Sequence, residues 1–280
     1  MEQQKIDISN FPAVSNTALM TLYCRAWDYT RKNSILKDRF SYDLYNRIIF
    51  DWKTVKKRIY GHDRILNAIR ARKFDRMCTE FLGKHAKGIV VSLGAGLDNR
   101  FLRIDNGQCL FIELDLPEVI DFKHQIIIPN ERYILIGKSV LDFSWINQVK
   151  DYATSNHHPV FFIAEGLFPY LDRVELSELL KRTSEIFPQS EIYFDICGEK
   201  AVKMMSRHSG IQDWDLQLKS GFNSGQDLEK LGVGFKLISE WYFPDDPDAK
   251  KGLMKLMWIV PLFKKSLYFL YGRLDHEPPT

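Results

Sequence analysis

The stretch GIVVSLGAGLDNRF, residues 88–101, sets a short apolar run against a Gly-Ala-Gly turn and then becomes polar. The run 89–93 has no polar face, which predicts a strand covered on both sides, as in a parallel sheet. Gly94, Ala95 and Gly96 let the main chain turn tightly and let a ligand approach bare backbone. Taken alone, this turn is compatible with a nucleotide-type ligand or with a plain tight loop. Three other apolar runs also end in reactive residue types. FIELDLPEV offers Glu113 and Asp115 about twenty residues after the glycines, where a carboxylate can accept from both ribose hydroxyls. IGKSVLDF offers Ser139 and Asp142, and IAEGLFPYL offers Glu165 and Gly166. Asp115 or Glu165 could each cap a helix, but polar residues at four neighbouring strand ends argue for one adenosine-like ligand across the sheet. A dinucleotide fingerprint needs a third glycine where Asn99 stands, and Asp98 repels a pyrophosphate. A cationic methylsulfonium tolerates both, which favours S-adenosylmethionine over NAD.

The elements that must position these residues follow from periodicity. Apolar runs at 89–93, 110–114, 133–136, 160–164 and 192–196 alternate with helix-like segments such as RVELSELLKRTSEIF. That order predicts right-handed crossovers and a parallel α/β sheet. GFKLISEWYF and KSLYFLYGRL read as an antiparallel pair closing one edge, for seven strands in all. Upstream, SNTALMTLYCRAWDY and HDRILNAIRARKFDRMCTEFL repeat apolar residues at helical spacing. With no repeat or linker, the expected organisation is an N-terminal helical extension over 1–87 that caps the site. A ligand-binding domain over 88–280 follows, with lid segments near 198–230 and 244–266.

Composition narrows the partners. A net charge of +3 over 280 residues is far from the basic stripe that a nucleic acid backbone requires, so none is expected. Cys24, Cys78, Cys109 and Cys197 form no Cys-x-x-Cys pair, which predicts reduced thiols and no metal site. MEQQKIDISNF lacks the pattern of a secretory leader, so a cytoplasmic protein is expected. The tract LMKLMWIVPLFKKSLYFLY is too interrupted by lysines and Pro261 to span a membrane. Packing as core or lid is preferred for it over lying on a membrane surface.

The ordered set VVSLGAGLDNRF, FIELDLPEVI, SVLDFSW and IAEGLFPYL resembles the S-adenosylmethionine-dependent methyltransferases that include leucine carboxyl methyltransferase and the tetracenomycin-type polyketide O-methyltransferases. The likeness extends upstream through SNTALMTLYCRAWDY, ILKDRFSYDLY and IRARKFDR, and so over most of the chain. It implies the class I methyltransferase fold, Rossmann-like and mostly parallel with an antiparallel edge strand. It also implies a role for each matching residue. Arg70 would pair with the carboxylate of the cofactor's methionine part, a task suited to guanidinium. Gly94-Ala95-Gly96 would pass under that part, and Asp115 with Leu116 would take the ribose. Ser139, Val140 and Leu141 would border the adenine, and Glu165 with Gly166 would lie near the amino group. Ser139-Val140 stands where many relatives carry Asp-Leu.

Methyl transfer from a sulfonium is an in-line displacement, so alignment and exclusion of water are the main tasks. A carboxylate acceptor is ionised at neutral pH, whereas a phenol needs a base. No histidine stands at a strand end. His208, in EKAVKMMSRHSGIQDW, and Tyr170 are the candidates nearest a substrate, and Tyr23, Arg25, Tyr29, Tyr170 and Trp214 are expected to contact it. The favoured reading is an O-methyltransferase acting on the carboxylate of a small, apolar or polyketide-like acid, as a monomer or homodimer. A phenolic hydroxyl, a protein C-terminal carboxylate and a catalytically silent binding module remain as alternatives.

Overall fold

A computed structural model describes residues 5–8, 16–156, 158–205 and 218–275. In chain order the elements are β1 (Ile6–Asp7), α1 (Asn16–Tyr29), α2 (Arg39–Arg47), β2 (Ile48–Ile49), α3 (Trp52–Arg58), α4 (Gly61–Lys84), β3 (Ile89–Leu93) and α5 (Phe101–Ile104). They continue with β4 (Leu110–Asp115), α6 (Pro117–Lys123), β5 (Tyr133–Gly137), α7 (Ser144–Asn156), β6 (Val160–Ala164), α8 (Arg173–Ile186) and β7 (Glu191–Ile196). The last are α9 (Glu199–Met205), α10 (Gly225–Glu229), β8 (Phe235–Tyr242), α11 (Met254–Met257), α12 (Pro261–Lys264) and β9 (Tyr268–Leu274).

Seven strands make one sheet in the order β5-β4-β3-β6-β7-β9-β8. β3 through β7 are parallel, and β9 runs antiparallel to both β7 and β8. Every strand read from the sequence is present, and the closing pair stands at one edge as expected. The final strand lies inside that pair, between β7 and β8, so the outermost position belongs to β8. A two-stranded parallel sheet of β1 and β2, too short to leave a periodic pattern, was not anticipated.

Successive residues of a strand face opposite layers, and both faces are covered. Ile89, Val91 and Leu93 of β3 join Trp145 and Val149 of α7 and Leu176, Leu179 and Leu180 of α8 in one core. Val90 packs on the other face with Ile69, Phe74, Cys78 and Phe81 of α4. Helix α1 lies over the carboxyl ends of the strands, where Leu19, Leu22, Leu44 and Leu97 form a smaller cluster joining it to α2 and the glycine turn. The described residues include no helix long and apolar enough to cross a membrane. The tract 244–266 lies between β8 and β9 and forms short helices, in which Ala249 and Met254 are buried while Leu253 and Ile259 stay exposed.

Gly272 sits where the ring of Phe235 crosses β9: a Cβ there would come within 2.2 Å of the ring and 2.6 Å of the Lys236 carbonyl oxygen. Gly83, near the end of α4, has open space around it. Gly272→Ala is expected to lower stability by about 3 kcal/mol through overpacking, and Gly83→Ala to raise it by roughly 0.5–1 kcal/mol. Urea unfolding midpoints of the two variants test the pair, and equal midpoints would contradict it.

Candidate active site

A cavity of about 880 Å³ opens at the carboxyl ends of β3, β4, β5 and β6, the position that an open parallel sheet offers a ligand. All the residues assigned to a cofactor from the sequence line it: Arg70, Gly94, Ala95, Gly96, Asp115, Leu116, Ser139, Val140, Leu141, Glu165 and Gly166. Gly94 and Gly96 take left-handed φ values of 66° and 55°, the conformation that the turn requires and that side chains disfavour. The turn is pinned from below: Asp115 at the end of β4 accepts from the Gly96 N–H (2.6 Å) and from the Leu116 N–H (2.8 Å). Burial pushes the Asp115 carboxyl above its ordinary value, against the pull of these two donors.

Glu113, two residues earlier on the same face of β4, does not line the cavity. It is buried among Lys123, with which it forms an ion pair, and the Tyr133 hydroxyl, which donates to it at 2.9 Å. Lys123 also donates to the Asp98 carbonyl oxygen (2.7 Å), so this pair fastens α6 to the loop after β3.

The opposite wall is a chain of charges with little access to water. Arg70 on α4 donates from Nε to Glu165 Oε1 (3.0 Å) and from Nη1 to Asp195 Oδ2 (3.4 Å). Arg100 reaches Glu165 Oε2 (2.5 Å), Asp75 Oδ1 (2.7 Å) and Asp98 Oδ2 (3.0 Å). Arg103 binds Asp75, Asp98 and Asp38 at 2.6, 2.9 and 3.0 Å, and Arg25 on α1 lies 3.6 Å from Asp38. Burial raises the Asp98 carboxyl, but the guanidinium groups of Arg103 and Arg100 outweigh burial and hold it well below the usual range. Asp195 additionally accepts from the Gly166 N–H (2.7 Å), and Gly166 itself adopts a φ of 68° beside the Arg70 guanidinium.

The substrate candidates divide. Arg25 and Tyr170 line the cavity. Arg25 is buried, and its Nη2 has no hydrogen-bond partner among the described residues; Asn67 Oδ1, also in the lining, has none either. Tyr23 and Tyr29 do not line the cavity. The face of α1 turned to it carries Thr17, Thr21 and Cys24, a spacing that directs Tyr23 elsewhere, onto Tyr45 and Trp52 at 5.9 and 6.5 Å. Tyr29, the last residue of α1, lies beyond the cavity against Tyr42, 5.2 Å between rings. His208 and Trp214 lie outside the described residues. Of the expected lid segments, 198–230 contributes Lys219 to the lining, and 244–266 contributes none of the described lining.

Burial lifts the Tyr170 hydroxyl and the Cys24 thiol each to about 12, so both hold their protons at neutral pH. Arg25, Arg70, Asp98 and Glu165 of the charged wall are legible in the sequence, but their pairing with Asp38, Asp75, Arg100, Arg103 and Asp195 is not. Asp195 hides inside an apolar run, and the one local signal was Arg100 and Arg103, three residues apart at a helix start, which places both on one side.

Asp195 carries a pH signature. Burial lifts its carboxyl to about 6 against the pull of Arg70. A carboxyl raised in the fold stabilises it below its unfolded pKa of about 4, and that contribution is lost as pH rises through the folded value. Between about pH 4 and pH 7, Asp195→Asn is expected to gain roughly 3 kcal/mol of stability relative to the wild-type protein. Parallel pH-dependences in urea unfolding would show that Asp195 does not titrate this way.

The family model for leucine carboxyl methyltransferase matches residues 18–184. The chain is 28% identical over 235 residues to the tetracenomycin polyketide synthesis O-methyltransferase TcmP of Streptomyces glaucescens, with 84% of each chain covered. It is 33% identical over 199 residues to an S-adenosyl-L-methionine-dependent methyltransferase of Gibberella zeae, covering 65% of each. Among solved structures it is similar to a DUF574 family protein from Streptomyces avermitilis, with a TM-score of 0.57, 12% identity and coverage of 90% of this chain and 96% of that one. At that identity the likeness speaks for the fold alone.

Proposed function

The chain belongs to the leucine carboxyl methyltransferase family and is an S-adenosylmethionine-dependent methyltransferase; from that premise we propose that it methylates the carboxylate of a small, largely apolar acid. The residues around the cavity fit the cofactor. A bare left-handed turn at Gly94 and Gly96 leaves room for a methionine chain, and Val119, Val140 and Leu141 offer an apolar slot beside Ser139 for an adenine. Asp115 would hold the ribose hydroxyls. Arg70 would hold the methionine carboxylate; Glu165 and Asp195 already fix its guanidinium, so little side-chain freedom remains to be lost. When bound, S-adenosylmethionine supplies a methyl group on a cationic sulfur.

The observation that carries the acceptor assignment is the protonation state of the lining. The described lining contains no histidine, and burial keeps the Tyr170 hydroxyl and Cys24 thiol protonated. A carboxylate needs no proton removed, so alignment alone suffices. The unpartnered Nη2 of Arg25 supports the same reading, because a buried guanidinium nitrogen without an acceptor is satisfied by a carboxylate oxygen. The relative from Streptomyces glaucescens, an O-methyltransferase of polyketide synthesis, favours an acid of polyketide-like character.

With a panel of aromatic and aliphatic acids, transfer is expected at a rate that stays flat between about pH 6 and pH 9, above the carboxylic pKa. Turnover confined to phenols, with a rate rising across that range, would replace the carboxylate by a hydroxyl. In calorimetric titration, Asp115→Ala is expected to weaken S-adenosylmethionine binding by about 1–3 kcal/mol. Unchanged affinity would remove Asp115 from the binding set.

A further inference from the structure

The tract between β8 and β9 turns several apolar side chains outward, Leu253, Leu256 and Ile259 among them. Residues 249–267 carry five lysines, Lys250, Lys251, Lys255, Lys264 and Lys265, and no acidic residue, against a net charge of +3 for the whole chain. The backbone winds in three-residue steps: the N–H of Leu256 donates to the Leu253 carbonyl, that of Ile259 to Leu256 and that of Phe263 to Val260. Residues three apart in such turns eclipse one another, which gathers Leu253, Leu256 and Ile259 on one side. That side meets water: Leu253 is 81% exposed, Ile259 73% and Leu256 52%. The other side is fastened to the protein. Met254 is buried, Trp258 stacks on Phe243 with ring centres 6.3 Å apart, and its indole N–H donates to the Ala249 carbonyl (2.8 Å). The apolar face is therefore held outward by packing beneath it.

We infer that this face docks on anionic phospholipid. A bilayer presents negative headgroups over an apolar interior, and five exposed lysines around exposed aliphatic side chains complement both layers. Nearby carboxylates offset the charge only in part, Asp245 standing exposed just before the tract. Asp246 and Asp248 lie before the tract and are taken up by Arg72 at 2.8 and 2.7 Å, with Lys251 also on Asp248 (2.6 Å). The tract leaves β8 at Tyr242 and enters β9 at Tyr268, which pairs with Ile196 at the carboxyl end of β7. Docking there places the rim that carries the cavity next to the bilayer.

The test is co-sedimentation of the full chain with phosphatidylcholine vesicles, with or without about a third of phosphatidylserine. Binding is expected only to the anionic vesicles. It should fall about tenfold in Leu253→Ser/Ile259→Ser, and its salt dependence should weaken in Lys250→Gln/Lys251→Gln/Lys255→Gln, which keeps Lys264 and Lys265. S-adenosylmethionine affinity, measured by calorimetry, should be unchanged in both variants, which reports an intact fold and keeps this result separate from the acceptor assignment. Equal sedimentation of wild type and variants, or none with anionic vesicles, would overturn the inference. So would a dimer in size-exclusion chromatography that Leu253→Ser/Ile259→Ser dissolves while vesicles leave the protein in solution, since the face would then join two copies of the chain.

Discussion

Arg25, Arg70, Arg100 and Arg103 alternate with Asp38, Asp75, Asp98, Glu165 and Asp195 in and behind one wall of the cavity, and this buried lattice ties the N-terminal helices to the strand ends, beside the apolar packing of α4 on the sheet. Its members come from α1, the start of α2, α4, the loop after β3, α5, the end of β6 and β7. Removing charges from water is costly, and most ions here are tolerable because two or more opposite charges surround them, while Arg25 and Asp195, at the ends of the chain, have one each, Asp38 and Arg70. The lattice therefore acts as a unit. Loss of one member leaves its neighbours buried without compensation, a larger effect than the loss of a single surface pair.

The same lattice explains the precision of the site. Glu165 is shared between Arg70 and Arg100, so the position of α4 over the sheet and the position of the loop after β3 are not independent. Asp195 restrains both Arg70 and the Gly166 backbone. The glycine turn is anchored separately, from Asp115 below and, through the Asp98 carbonyl, by Lys123. Rigid elements on both sides of the cavity hold its polar groups in place before any ligand arrives, the arrangement that alignment-based catalysis demands.

Much of the fold was legible because parallel strands are covered on both faces and so appear as uninterrupted apolar runs, such as 89–93 and 160–164. The cofactor-side residues were legible because they cluster at the ends of those runs. The second tier of the site was not: Asp75 and Arg103 sit on helices where a charge ordinarily marks a solvated face, and only the assembled structure turns them inward. Tyr23 shows the complementary case. A tyrosine between Thr21 and Arg25 is close in sequence to the cavity face, yet a step of about 100° per residue moves it onto a different one. The outward apolar face of 249–267 was hidden for a third reason: its pattern of aliphatics and lysines fits core, lid and surface alike, and only burial distinguishes them.

The place of β9 also bears on how the chain is made. β8 is synthesised before β9 but touches the rest of the sheet only through it. Until residues 268–274 emerge, β7 offers an open, strongly apolar edge, and β8 is a strand with no neighbour in the sheet. An unpaired edge of this kind is a template for pairing with other chains. The interval between translation of β7 and arrival of β9 is thus the period in which a nascent chain is most exposed to misassembly, and one in which a chaperone would have most to shield.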